Sequence, residues 1–185
     1  WQKFTEDENT QRALAHELVH PYTAVPIART DSLFSLAVEG FPSYFHLPIL
    51  AGHLGDEFYN RFLGWMEKLY IDKRTTGLDR RGNAAPPEKS LLTISANELS
   101  TYKDEFVLSD RALLFLNYLY ARMGESSFYQ FTSDLFNQEK LTTQKFRKLI
   151  EAYLPGSEQD VQVWLATTDY PDRFRFEHFK RVSGR

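Results

Sequence analysis

The sequence contains no cysteine. This absence excludes disulfide bonds, thiolate metal sites and cysteine nucleophiles together, because each of them needs a cysteine sulfur. It does not fix the compartment, since secreted proteins can also lack cysteine. We expect a soluble protein and favour the cytoplasm over secretion.

Long apolar runs and an excess of positive charge are also missing. No run of about 18 apolar residues is present, so no membrane span is predicted, and the start shows no signal-peptide pattern. Lysine and arginine number 22 against 25 aspartate and glutamate, whereas nucleic-acid binding needs a clear basic excess. The chain begins with Trp1 rather than Met. We therefore expect an excised or processed piece that packs against further segments of a larger polypeptide, with no nucleic-acid partner.

A helical period of apolar residues runs along most of the 185 positions. Apolar residues make up 42% of the chain, which is enough for a sizeable core. We expect a mainly α domain over residues 1–171 and, at 172–185, a C-terminal tail or the start of a following segment. Alternating aromatic and basic residues at this end favour a terminal strand or a tail docked on a missing part. The predicted helices cover about 10–20, 30–39, 56–70, 104–123, 126–137, 142–153 and 158–166, with an exposed loop at 72–90.

The residues that indicate chemistry lie on the first predicted helix, in the run His-Glu-Leu-Val-His at 16–20. His16 and His20 are four positions apart, so both imidazoles project from one face. Neutral imidazole is a good zinc ligand. Glu17 lies about 100° round the helix from His16, where it can accept a proton from water without binding the metal. The pattern predicts a catalytic zinc site with Glu17 as the general base.

A catalytic zinc site needs a third protein donor and keeps its fourth position open. Glu39 is predicted as that donor, on the second predicted helix and separated from His20 by the 18 residues 21–38. One zinc ion per chain on His16, His20 and Glu39 is the expected cofactor. The alternative interpretation is a surface helix that carries two histidines and a glutamate by chance.

The chain resembles the gluzincin metallopeptidases of the aminopeptidase N family. The likeness rests on the 16–20 motif, the 18-residue gap, and the run Glu39-Gly40-Phe41 followed by Ser43-Tyr44. Residues 111–136, the run LTTQKFRKLIEAYL and the closing Trp164-Leu165 and Tyr170-Pro171 pairs also resemble later parts of that catalytic domain, in the same order. The glycyl aminopeptidases are also similar. The resemblance implies the helical half of a thermolysin-like catalytic domain.

Some residues depart from the family pattern. Pro21-Tyr22 follows the second histidine where the family continues with Gln-Trp, and Val38 stands where it has Asn. The family's oxyanion-donating tyrosine aligns with Val107 without gaps, and Tyr102 takes this role if a short insertion is allowed; otherwise the role is lost. The family segment that holds a substrate's amino group would lie upstream of Trp1.

Other candidate residues have a structural interpretation. His46, His53 and His178 have no metal-ligand spacing and are interpreted as surface or hydrogen-bonded histidines. The aromatic stripe Phe58, Phe62 and Trp65 is interpreted as core packing rather than a substrate pocket. No Gly-x-Ser-x-Gly run supports a serine hydrolase.

The resemblance therefore implies a zinc-dependent peptidase that acts on peptides and releases N-terminal amino acids. The rival hypothesis is a catalytically impaired gluzincin-like domain that serves as a zinc-binding or interaction module. An endopeptidase, which needs no amine-binding segment, is a third hypothesis.

Overall fold

The structure is a computed structural model that describes residues 6–79, 82–85, 87–99 and 110–181. Most of these residues are helical. Within these ranges the β-structure is limited to isolated bridges, Ile27 with Leu141 and Leu78 with Ala84. No helix in the described ranges is both long and apolar enough to cross a membrane. The helices are α1 Glu6–Thr23, a π-helical turn Leu36–Gly40, α2 Phe41–Thr76, α3 Ala112–Met123, α4 Glu125–Phe136, α5 Thr143–Tyr153 and α6 Glu158–Ala166.

Helix α1 is longer than predicted at both ends. Its first turn carries Glu6, Asp7 and Glu8, whose charges are favourable at the positive end of the helix dipole. It continues through Pro21 and ends at Thr23. Proline lacks the N–H that would bond the carbonyl of Glu17, so the helix loses one bond at this point and ends two residues later.

The segment between α1 and α2 is fixed by Asp31. Its Oδ1 accepts hydrogen bonds from the backbone N–H of Leu33 at 2.9 Å and from the Thr143 hydroxyl at 2.6 Å. Nearby, the Leu141 N–H donates to the Pro26 carbonyl at 2.7 Å. These contacts attach the loop that precedes Glu39 to the start of α5.

Helix α2 absorbs two elements that the sequence predicts as separate. The predicted helix at 30–39 runs through the π-helical turn directly into α2, and the predicted helix at 56–70 forms its later part. Gly55 breaks the helix with φ 82° and ψ 168°, a conformation open to glycine. Helix α2 then extends to Thr76, so the predicted loop at 72–90 begins later than expected, at Gly77.

Gly40, at the end of the π-helical turn, lies close to α3. A Cβ on Gly40 would lie 3.0 Å from the Cβ of Ala112 and would overlap Cδ1 of Leu36. Leu36, Gly40 and Ala112 are all buried. A side chain at residue 40 would therefore force Leu36 to move and would crowd Ala112 of α3.

Arg111 holds the end of α6 from the interior of the protein. Its side chain is fully buried, and Nε donates to the Trp164 carbonyl at 3.0 Å while Nη2 donates to those of Val163 at 2.9 Å and Asp169 at 3.1 Å. The Val163 and Trp164 carbonyls lie in the last turn of α6, where backbone partners within the helix are missing, and Asp169 follows the helix, so the guanidinium caps this end. Of the predicted helix at 104–123, residues 104–109 lie outside the described part of the chain.

The end of the chain differs from its prediction. Residues 172–178 form two 3-10 turns, Asp172–Phe174 and Phe176–His178, so the expected terminal strand is wrong for the described residues. Phe174 and Phe176 are buried in the core of this same chain. Phe174 stacks on Trp164 with ring centroids 4.7 Å apart. The domain boundary after residue 171 stays a prediction.

Gly40→Ala should lower the free energy of unfolding by about 1–3 kcal/mol, because the added methyl group overpacks the contact between α2 and α3. Urea unfolding measures this. Gly52→Ala is the matched control, since Gly52 is exposed on the same helix with nothing within 4 Å of an added Cβ. It should raise stability by up to about 1 kcal/mol through helix propensity. Equal effects of the two substitutions would contradict the proposed close approach.

Candidate metal centre

The two histidines of α1 project from the face that packs toward α2. Val19 and Thr23, on the same face, are buried, whereas the His16 and His20 side chains are half-buried at its edge, with 23% and 30% of their surface exposed. Their Nε2 atoms lie 3.2 Å apart, and the rings meet edge to face. The spacing of four therefore brings both nitrogens to one point, as the helical period predicts.

Glu39 reaches this point from the π-helical turn. Its neighbours Ala37 and Gly40 face the core, which directs Glu39 outward. Its Oε2 lies 3.7 Å from Nε2 of His16 and 3.9 Å from Nε2 of His20. The three side chains form the one cluster with metal-ligand spacing among the described residues, with all ligand atoms within 4.8 Å of one another.

The spacing and chemistry of these donors fit zinc. Two nitrogens bound to one tetrahedral zinc ion at about 2.0–2.1 Å lie about 3.3–3.4 Å apart, close to the 3.2 Å between the histidines. The carboxylate needs to approach by only a few tenths of an ångström. Two imidazoles and one carboxylate leave a fourth position open, and the 40% exposure of Glu39 leaves the centre accessible to solvent.

Glu17 lies beside this cluster and outside it. It follows His16 on α1 and is exposed to solvent. It is absent from the set of converging ligand atoms. An exposed carboxylate next to a metal centre can exchange protons with water there, and this is the position that the motif predicts for a general base.

His46 is a neighbour of the cluster whose role the sequence did not predict. It is hydrogen-bonded, as expected, with Nδ1 3.1 Å from the Pro42 carbonyl, but it is 2% exposed and not on the surface. Burial lowers the pKa of His46 to about 3. Its ring centroid lies 5.8 Å from that of His16. The sequence signal that could have identified His46 is its spacing from Glu39. The two residues are seven apart, about two helical turns, which places them on nearly the same helix face.

The remaining candidates fall into two groups. His53 and His178 are exposed, and the stripe of Phe58, Phe62 and Trp65 packs in or against the core, which confirms both structural interpretations. Tyr102 lies outside the described residues, as does Val107, so the identity of the oxyanion donor stays a prediction.

Comparison with known proteins shows the fold. No family model and no curated protein matches the sequence. The structure is similar to the crystal structure of a mutant M1 zinc metallopeptidase from Deinococcus radiodurans bound to a Tyr-Ser-Ala substrate. The TM-score is 0.60, at 20% sequence identity over 91% of this chain. The predicted mainly α fold, the helical part of such a peptidase, is confirmed.

The present chain spans 36% of the length of that metallopeptidase. The match thus corresponds to a fragment of the larger protein.

Zinc titration should saturate at one ion per chain and raise the thermal midpoint, because a ligand that binds only the folded state stabilises it by about 4 kcal/mol at a thousandfold excess over Kd.

His20→Ala should weaken zinc binding at least about a hundredfold, because it removes one of three ligands. His53→Ala, an exposed histidine on α2, is the control and should bind like the unmodified chain. Unchanged affinity in His20→Ala would rule out this centre.

Proposed function

We propose that this chain is the metal-binding part of a zinc-dependent peptidase that hydrolyses peptide bonds and releases N-terminal amino acids. The observation that carries the proposal is the meeting of His16, His20 and Glu39 at one accessible point, with the exposed Glu17 next to His16 in the chain. The similarity of fold to an M1 zinc metallopeptidase supports the same conclusion.

The residues of the site have different roles in this reaction. His16, His20 and Glu39 hold the ion, which when bound supplies Lewis-acid polarisation of the scissile carbonyl and lowers the pKa of water. Glu17 accepts a proton from the attacking water at its carboxylate. It then passes that proton to the nitrogen of the leaving amine, so the base of the first step is the acid of the second.

Water needs room beside the ligands for this chemistry. The side chains of His16 and His20 are about one quarter exposed and that of Glu39 is 40% exposed, so water and an extended peptide can both reach the cluster. A closed structural site would fill the fourth position with a protein ligand. The exposure of the three donors therefore favours a catalytic centre over a structural one.

The substrate class we propose is a short peptide with a free N-terminus. The similar metallopeptidase was solved with the tripeptide Tyr-Ser-Ala as its substrate. The resemblance to the aminopeptidase N family supports exopeptidase action. Tyr102 is our proposed donor of a hydrogen bond to the oxyanion, and its loss should cost about 10²–10³ in kcat.

Glu17→Gln should reduce kcat by about 10²–10⁴ and leave zinc stoichiometry unchanged, because it removes the proton acceptor and no ligand. The measurement is turnover of chromogenic aminoacyl amides by the full polypeptide, with zinc content determined in parallel. Glu57→Gln, an exposed glutamate on α2, is the matched control and should retain full activity.

Three further measurements separate the rival hypotheses. A chelator should abolish turnover, and readdition of zinc should restore it. Blocking the substrate's N-terminus should also abolish cleavage; persistent cleavage would indicate an endopeptidase. Zinc bound at one ion per chain without turnover of any peptide would indicate the non-catalytic zinc-binding module.

A further inference from the structure

His46 has a buried nitrogen whose partner is missing. The side chain is 2% exposed, and Nδ1 lies 3.1 Å from the carbonyl of Pro42, one turn earlier on α2. No atom of the described residues forms a hydrogen bond with Nε2. Buried polar atoms are almost always hydrogen-bonded, so an exception indicates a function or a partner that arrives later.

The Pro42 contact fixes which nitrogen of His46 carries the proton. A carbonyl oxygen can only accept, so Nδ1 must be the donor. Burial disfavours a charged ring, and the ring is therefore neutral. Nε2 consequently presents a lone pair and acts as an acceptor only.

The ring of His16 lies next to the ring of His46. The two ring centroids are 5.8 Å apart with an interplanar angle of 71°. Nε2 of His16 points toward His20 and Glu39, at 3.2 Å and 3.7 Å. Metal binding through Nε2 requires a lone pair there, which leaves the proton of the neutral ring on Nδ1. His16 then becomes a donor on its other nitrogen.

We propose that His46 is a positioning residue for the metal centre, with its Nε2 accepting a hydrogen bond from Nδ1–H of His16 when His16 binds zinc. This inference rests on the proposed zinc site. The bond completes a chain from the Pro42 carbonyl through His46 to His16. It holds the His16 ring in the tautomer and orientation that direct Nε2 at the metal, and such partners typically contribute about 10–100-fold in metal affinity.

Arg12 is a charged group that also acts on His46. Its guanidinium lies over the Phe62 ring, 5.6 Å from the centroid, and its charge also disfavours protonation of His46. If Arg12 were the donor to Nε2, loss of His46 would affect stability and leave zinc affinity unchanged. The experiment therefore measures both quantities.

The test compares zinc affinity in three variants by competition with a chromophoric chelator. His46→Leu removes the acceptor and should weaken zinc binding about 10–100-fold. His46→Gln places an amide oxygen near the position of Nε2 and should bind within about threefold of the unmodified chain. His53→Leu, an exposed histidine on the same helix, is the control and should have no effect. Circular dichroism and thermal unfolding verify that each variant is folded.

A second measurement needs no variant. Nitrogen-15 NMR of the zinc-loaded chain should show His46 protonated on Nδ1 and His16 Nδ1–H protected from exchange. Unchanged affinity in His46→Leu, or a His46 proton on Nε2, would overturn the role of His46 while the zinc site stands. Absence of zinc binding by the unmodified chain would instead overturn the proposed function.

Discussion

At Gly40 the π-helical turn packs so closely on α3 that an added Cβ would lie 3.0 Å from the Cβ of Ala112. The turn buries one side against the core at this contact. With Leu36, Ala37 and Gly40 facing the core, Glu39 is directed to the outside, where the histidines of α1 lie. The carboxylate thus remains in contact with water while the apolar side of the turn lies in the core. This arrangement is favourable because burying an unpaired charge is costly.

The elements behind the centre are held by buried polar contacts as well as by aromatic packing. Arg111 joins the start of α3 to the end of α6. Tyr59 on α2 donates to Asn117 on α3 at 2.8 Å and contacts the hydroxyl of Tyr44 at 3.1 Å. Burial raises the pKa of Tyr59 well above its ordinary value, so it stays a donor at any physiological pH. A ligand set on such elements keeps its geometry, whereas one on loops would not.

Local periodicity explains what the sequence predicted well. His16 and His20 converge because spacing on one helix is a short-range property, and helix α6 has its predicted bounds for the same reason. The later part of α2 follows its prediction, because Gly55 breaks the helix just before the predicted start at 56, whereas the helical stretch at 41–54 was not predicted. The burial of Phe174 depends on Trp164, a tertiary contact that no local pattern contains. His46 was missed because its partner lies on another helix.

The attachment of the loop before Glu39 has a consequence for folding. Asp31 and Thr143 are 112 positions apart, and Pro26 meets Leu141 across a similar separation. Closing a loop of this length costs more chain entropy than forming a contact within a local helix. Contacts between residues so far apart in the chain raise the contact order of a fold, which is associated with slower folding. The two histidines of α1 are thus brought together by a spacing of four residues, whereas the loop that leads to the third ligand is tied by contacts between distant parts of the chain.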